Sequence, residues 1–181
     1  MAQASGRPIE SGRSLLVMAG TVAPLDEFVE KAQLECLNED KANPVANILD
    51  PSPDTFLSSD ENVDHQLLLK VQFRVPVKLQ SIRILGEEDE TAPQSVKLFL
   101  DKVNMGFEDA EEEAVQELAL TPANVGGEPV LLRFVKFQNV SSLQLFFQDN
   151  CGAPVTRIKR IEFLGQPASS MDMKDWKPVK G

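Results

Sequence analysis

A chain of 181 residues with 42% hydrophobic residues can bury one core without staples and is too apolar to be disordered throughout. Its formal net charge of -10 argues against nucleic acid and anionic membrane as partners, because their phosphates would repel it. A basic protein surface, or a large assembly with basic grooves, fits better. Cys36 and Cys151 are far apart and form no Cys-x-x-Cys, so neither a disulfide framework nor a zinc ribbon is indicated.

Residues 1–20 mix Gly, Ser, Pro and Arg without apolar periodicity and read as a flexible leader. The run from Leu15 to Ala19 is far shorter than the ~20 residues that span a bilayer. It is also too brief and too late for a signal sequence. These features place the chain in the cytoplasm, with the nucleus also open. A short helix is expected from Pro24 to Gln33, where Leu25, Phe28, Val29 and Ala32 share a face and Pro24 suits the first turn. Asp26 and Glu27 favour the positive end of its dipole. Residues 38–63, rich in Asn, Pro, Asp and Ser, read as a long loop pinned by Ile48, Leu49, Phe56 and Leu57. Such loops are often functional.

From residue 65 the apolar period becomes two. Leu67, Leu69, Val71 and Phe73 form one face of a strand that Pro76 is expected to break. Val77 and Leu79 resume that face, but Ile82 and Ile84 take the opposite parity, which puts a bulge or turn near Ser81. Further strands are expected at Val96 to Leu100, at Leu118 to Leu120, at Leu143 to Phe147 and at Ile161 to Phe163. The run from Val130 to Phe137 is apolar on both parities and reads as a central strand covered on both faces. The whole is an all-β domain over 21–166, a jelly-roll or sandwich with a short N-terminal helix, followed by a tail over 167–181 packed on or near it. No β-α-β alternation points to a nucleotide-binding sheet.

Catalytic signals are weak. His65 is the sole histidine, and its pairing with Cys36 has no local signature; a polar residue at a strand start is the better reading. Cys36 follows Glu35 at an expected helix C-terminus, an unfavourable setting for a reactive thiolate. The acidic runs Glu87 to Glu90 and Glu108 to Glu113 lack calcium-loop spacing and read as solvated loops. Asp60 to Asp64 reads as a turn in which Asp and Asn side chains bond their own backbone. There is no phosphate cradle, no Gly-x-Ser-x-Gly and no His-Glu-x-x-His, so neither cofactor nor metal is expected. Trp176, the sole tryptophan, stands in the tail beside Met171 and Met173, residue types enriched at interface cores.

Several ordered segments together resemble one family. They include Cys36-Leu37-Asn38-Glu39, Thr55-Phe56-Leu57 with Ser59-Asp60, Asp64-His65-Gln66-Leu67-Leu68, and Met105-Gly106-Phe107-Glu108-Asp109. The longest runs from Arg133 to Leu143, and Thr156-Arg157-Ile158 with Phe163-Leu164-Gly165 closes the series. From about Leu25 to Val179 the chain resembles the PITH domain, the proteasome-interacting domain of thioredoxin-like proteins. The resemblance implies a jelly-roll β-sandwich similar to galactose-binding-like domains and a partner in the regulatory particle of the proteasome. It supplies no catalytic residue. With no Cys-x-x-Cys in the chain, it gives no reason to expect reductase activity. The polar residues it matches, Asn38, Asp60, Asp64, Asn139 and Arg157, together with Phe107 and Trp176 as apolar anchors, are the candidate partner-binding residues. Local hydrogen bonding accounts for most of the polar ones. The expected function is a non-catalytic, monomeric protein-interaction module. The alternative is a small-ligand or carbohydrate-binding sandwich working through the 38–63 loop.

Overall fold

The computed structural model describes residues 22–50 and 52–168. The expected leader, and the tail from residue 169 onward with Trp176, lie outside the described residues. Ten strands appear, written β1 (Ala23–Pro24), β2 (Glu35–Leu37), β3 (Leu57–Ser58), β4 (Leu67–Leu85), β5 (Pro93–Leu100), β6 (Gln116–Ala119), β7 (Val130–Leu131), β8 (Val140–Asn150), β9 (Arg157–Ile158) and β10 (Arg160–Pro167). One helical turn, α1 (Pro122–Val125), is capped by Thr121, whose side chain accepts from the Asn124 backbone N–H.

All pairings are antiparallel, and the main sheet runs β1-β10-β4-β8-β5-β6, with β2 and β7 also on β4 and β3 paired separately to β9. The long β4 organises the domain. Its first half, Leu67 to Gln72, pairs with β8, while its second half, Val77 to Leu85, pairs with β10. Between them, residues 73–76 face only Ser141, because the register with β8 jumps from Gln72↔Ser142 to Val77↔Val140. This wide bulge lets the strand bend. Pro76 therefore interrupts the ladder without ending the strand, as it needs no N–H partner there, and its carbonyl accepts from Ala168 N–H at 2.9 Å. Phe73, at the start of the bulged segment, meets Phe163 of β10 edge-on, centroids 5.7 Å apart.

The parity switch near Ser81 has a direct cause. Leu164 pairs with Ser81 but Gly165 pairs with Leu79, so Gln80 is an extra residue on β4. It is exposed, while Leu79, Ser81 and Ile82 are buried. The expected faces of β4, β5, β8 and β10 enter one large core. The outer face of the β4–β8 pair is not wholly solvated. Leu68, Phe99 and Phe146 form a second cluster there with Met105 and Ala110.

Besides the break expected at Pro76, three sequence expectations are corrected. The helix over Pro24 to Gln33 is replaced by β1 and two 3-10 turns at Asp26–Phe28 and Lys31–Gln33. The bridge Val29↔Phe73 and the bond from Glu30 N–H to Gln72 carbonyl pull the middle of that segment onto the sheet edge, so Leu25 and Val29 are buried by pairing rather than by helical periodicity. Cys36 consequently sits in β2, not after a helix. The third correction concerns Val130 to Phe137. Only Val130 and Leu131 pair with β4, and Phe134–Lys136 is a 3-10 turn.

Candidate functional site

Four loops meet at one end of the sandwich, where β4 and β5 begin and β8 ends. Three sequence-predicted residues lie together there, and their polar atoms hold loops to one another. Asn38 has φ 73°, a left-handed conformation that Asn tolerates better than most residues. Its Nδ2 donates to the Asp64 carbonyl at 3.1 Å, to Asp64 Oδ1 at 2.9 Å and to the Gln66 carbonyl at 2.7 Å. Asp60 N–H donates to the Asn38 carbonyl at 3.0 Å, and Asp60 Oδ1 accepts from Asn62 N–H at 2.9 Å. Thr156, fully buried, bonds both ways with Ser59 at 3.0 Å and donates its hydroxyl to the His65 carbonyl at 2.7 Å. Arg157 is exposed in the same region, its guanidinium 5.0 Å from the Phe56 ring centroid, a cation–π contact.

Beside these loops lies a cavity of about 400 Å³ with Leu120, Pro122 and Val125 on its apolar wall and Glu88, Asp89 and Glu90 at its rim. Glu87 at the same rim is paired with Lys159 at 3.3 Å. The Thr91 hydroxyl, and then its N–H, hold the Asp89 carboxyl below the usual carboxylate range. Among the described residues no aromatic side chain lines this cavity.

The other residues singled out in the sequence take different positions. Phe107 is half-buried, its ring edge-on to Phe146 with centroids 6.0 Å apart, and it roofs the second cluster. Asn139 is exposed just before β8. Burial, with Glu39 adding to it, pushes the Cys36 thiol well above its ordinary pKa, the opposite of what a nucleophile needs. His65 faces Asp149, at 3.8 Å. Among the described residues no group of three or more His, Cys, Asp or Glu is placed to hold a metal ion, and no helix is long and apolar enough to cross a membrane.

The segment Val130 to Phe137 presents a cluster of exposed apolar side chains. Leu132 and Phe137 are buried, and the four residues between them arch outward. Leu131 is 72% exposed and Val135 81%, with Phe134 at 39%. Gln116 straps the arch from β6. Its Oε1 accepts from Arg133 N–H at 2.8 Å, and its Nε2 donates to the Leu131 carbonyl at 3.4 Å. The signal available in the sequence was Arg133 and Lys136, charges of opposite parity that a strand buried on both faces does not accommodate.

The geometry is that of a galactose-binding-like jelly-roll β-sandwich. The family 32 carbohydrate-binding module of Clostridium perfringens NanJ, solved with galactose, superposes with a TM-score of 0.59 at 12% identity, over 79% of this chain and 98% of that one. The C-terminal domain of a Bacteroides fragilis chitobiase does so at 0.56 and 16% identity, over 80% and 99%. At such identities the likeness concerns the fold. The chain belongs to the PITH domain family, whose model matches residues 18–181. Thioredoxin-like protein 1 of Schizosaccharomyces pombe is 36% identical over 155 residues, which span 80% of this chain and 52% of that protein. PITH domain-containing protein 1 of Homo sapiens is 29% identical over 143 residues, 76% of this chain and 67% of that protein. The chain thus spans about half the length of the S. pombe relative.

Proposed function

We propose that this chain is a non-catalytic protein-interaction module that binds the regulatory particle of the proteasome, as a monomer in the cytoplasm or nucleus. The observation that carries the reading is membership in the PITH family across residues 18–181. The chemistry of the chain agrees with it. The one buried thiol is held protonated, the matched polar residues at the loop end bond to one another, and the net charge of -10 favours a protein partner over nucleic acid. The full chain, immobilised and exposed to lysate of its own source at low and moderate salt, is expected to retain regulatory-particle subunits identifiable by mass spectrometry. A folded chain that retains none of them would refute the reading.

The second reading is a small-ligand or carbohydrate-binding sandwich, which the likeness to the galactose-bound module favours. Against it, no aromatic side chain among the described residues lines the cavity at the loop end as a wall on which a sugar face could stack. A glycan array and a calcium titration decide it, and silence in both removes it.

A further inference from the structure

We infer that the arch Leu131–Lys136 is a docking surface for an acidic, apolar segment of a partner protein. The inference rests on the interaction-module reading for there being such a partner. Soluble domains scatter exposed apolar residues singly, and Val63 and Val103 fit that pattern. Leu131, Phe134 and Val135 instead stand within five consecutive residues. The exposure is built in rather than a frayed end. Leu132 and Phe137 anchor the arch in the interior, Gln116 straps its start, and Gln138 Nε2 donates to the Phe134 carbonyl at 2.9 Å across its end. A surface so fixed loses little conformational freedom on binding.

Charge decides the occupant. The chain carries 28 Asp and Glu, yet none stands between Pro129 and Gln148. Arg133 and Lys136 are exposed on the arch, and among the described residues neither forms an ion pair. Two exposed cations among apolar side chains complement carboxylates flanking apolar anchors. They repel a basic segment, and the net charge of -10 on the chain as a whole repels nucleic acid.

The test has two arms and uses the full chain. In the first, amide NMR follows titration with a synthetic peptide of alternating Asp and Leu, and with its Asn-for-Asp counterpart. The acidic peptide is expected to shift amides of residues 131–138 and to bind roughly tenfold more tightly than the neutral one. The R133E/K136E variant loses that preference, and L131S/V135S weakens both peptides. All four side chains are outside the core, so unchanged melting and an otherwise unchanged spectrum verify the fold. Shifts confined to other surfaces, equal binding of the two peptides, or arch shifts that track protein concentration alone (a second copy as occupant) overturn the inference. In the second arm, regulatory-particle capture is repeated with R133E/K136E. Loss of capture supports the arch. Equal capture by variant and wild type overturns the arch as the docking surface and leaves the module reading intact. If the wild type captures nothing, the module reading falls and the peptide arm alone decides the arch.

Discussion

Replacing Gly165 by Ala tests the central joint of the fold. A Cβ at this position would lie 1.9 Å from the Lys78 carbonyl oxygen and 3.2 Å from Leu79 Cα, both backbone atoms that cannot rotate away. An ordinary carbon–oxygen contact is about 3.3 Å, so β4 and β10 would have to part by roughly 1.4 Å at the bulge. The ladder beyond it, Gly165↔Leu79, Gln166↔Lys78 and Pro167↔Val77, would open. Two or three backbone hydrogen bonds at about 1 kcal/mol each give a loss of ~3 kcal/mol. A domain of this size holds about 5–15 kcal/mol in all. At about 2–4 °C per kcal/mol the midpoint should fall by roughly 6–12 °C. Thermal denaturation followed by circular dichroism measures this, and hydrogen exchange at Lys78 and Gln166 locates it. Gly106→Ala is the control, since the atoms nearest its Cβ belong to the flexible Glu108 carboxyl, and it should melt within about 2 °C of wild type. If Gly165→Ala also melts within that range with its ladder amides still protected, the close-approach argument is wrong.

Gln116→Ala removes the strap on the arch. Global stability should drop by only about 1 kcal/mol, while the Arg133 amide, whose partner is the lost Oε1, should exchange far faster; slow exchange there would mean the arch holds without the strap. Iodoacetamide at neutral pH should label exposed Cys151 and leave buried Cys36 untouched until denaturant is added, as peptide mass spectrometry can read. The pH dependence has two opposite parts. Asp89 is held below its ordinary pKa by Thr91, so its contribution is fully present above the usual carboxylate range and is lost as pH falls through the lowered value; Asp89→Asn should therefore flatten the acid limb of a melting-temperature profile. Asp26 is raised by burial, outweighing the attraction of Arg160 at 3.0 Å, so its protonation on acidification favours folding, and Asp26→Asn should steepen the same limb. A profile unchanged by either substitution would refute the assignment.

The sequence by itself determined the fold class and most of the strands. Alternation at Leu67 to Phe73 and at Leu143 to Phe147 is a local property of the chain, because successive side chains of a strand point to opposite faces whatever it pairs with. The parity switch between Leu79 and Ile82 likewise marks a bulge whatever strand lies opposite. The PITH resemblance was carried by ordered segments that no pairing had to explain. What the tertiary structure decided is everything set by a distant partner. Phe73 and Gln72 turned an amphipathic stretch at Leu25 to Val29 into sheet edge, because pairing along an open strand satisfies more backbone groups there than an isolated short helix could. The bulge opposite Ser141 carried β4 through Pro76. From Val130 to Phe137, eight apolar-rich residues read the same whether a second sheet covers them or nothing does. Local pattern records which residues are apolar, and only the packing of β4, β6 and β7 around Leu132 and Phe137 determines that Leu131 and Val135 face outward.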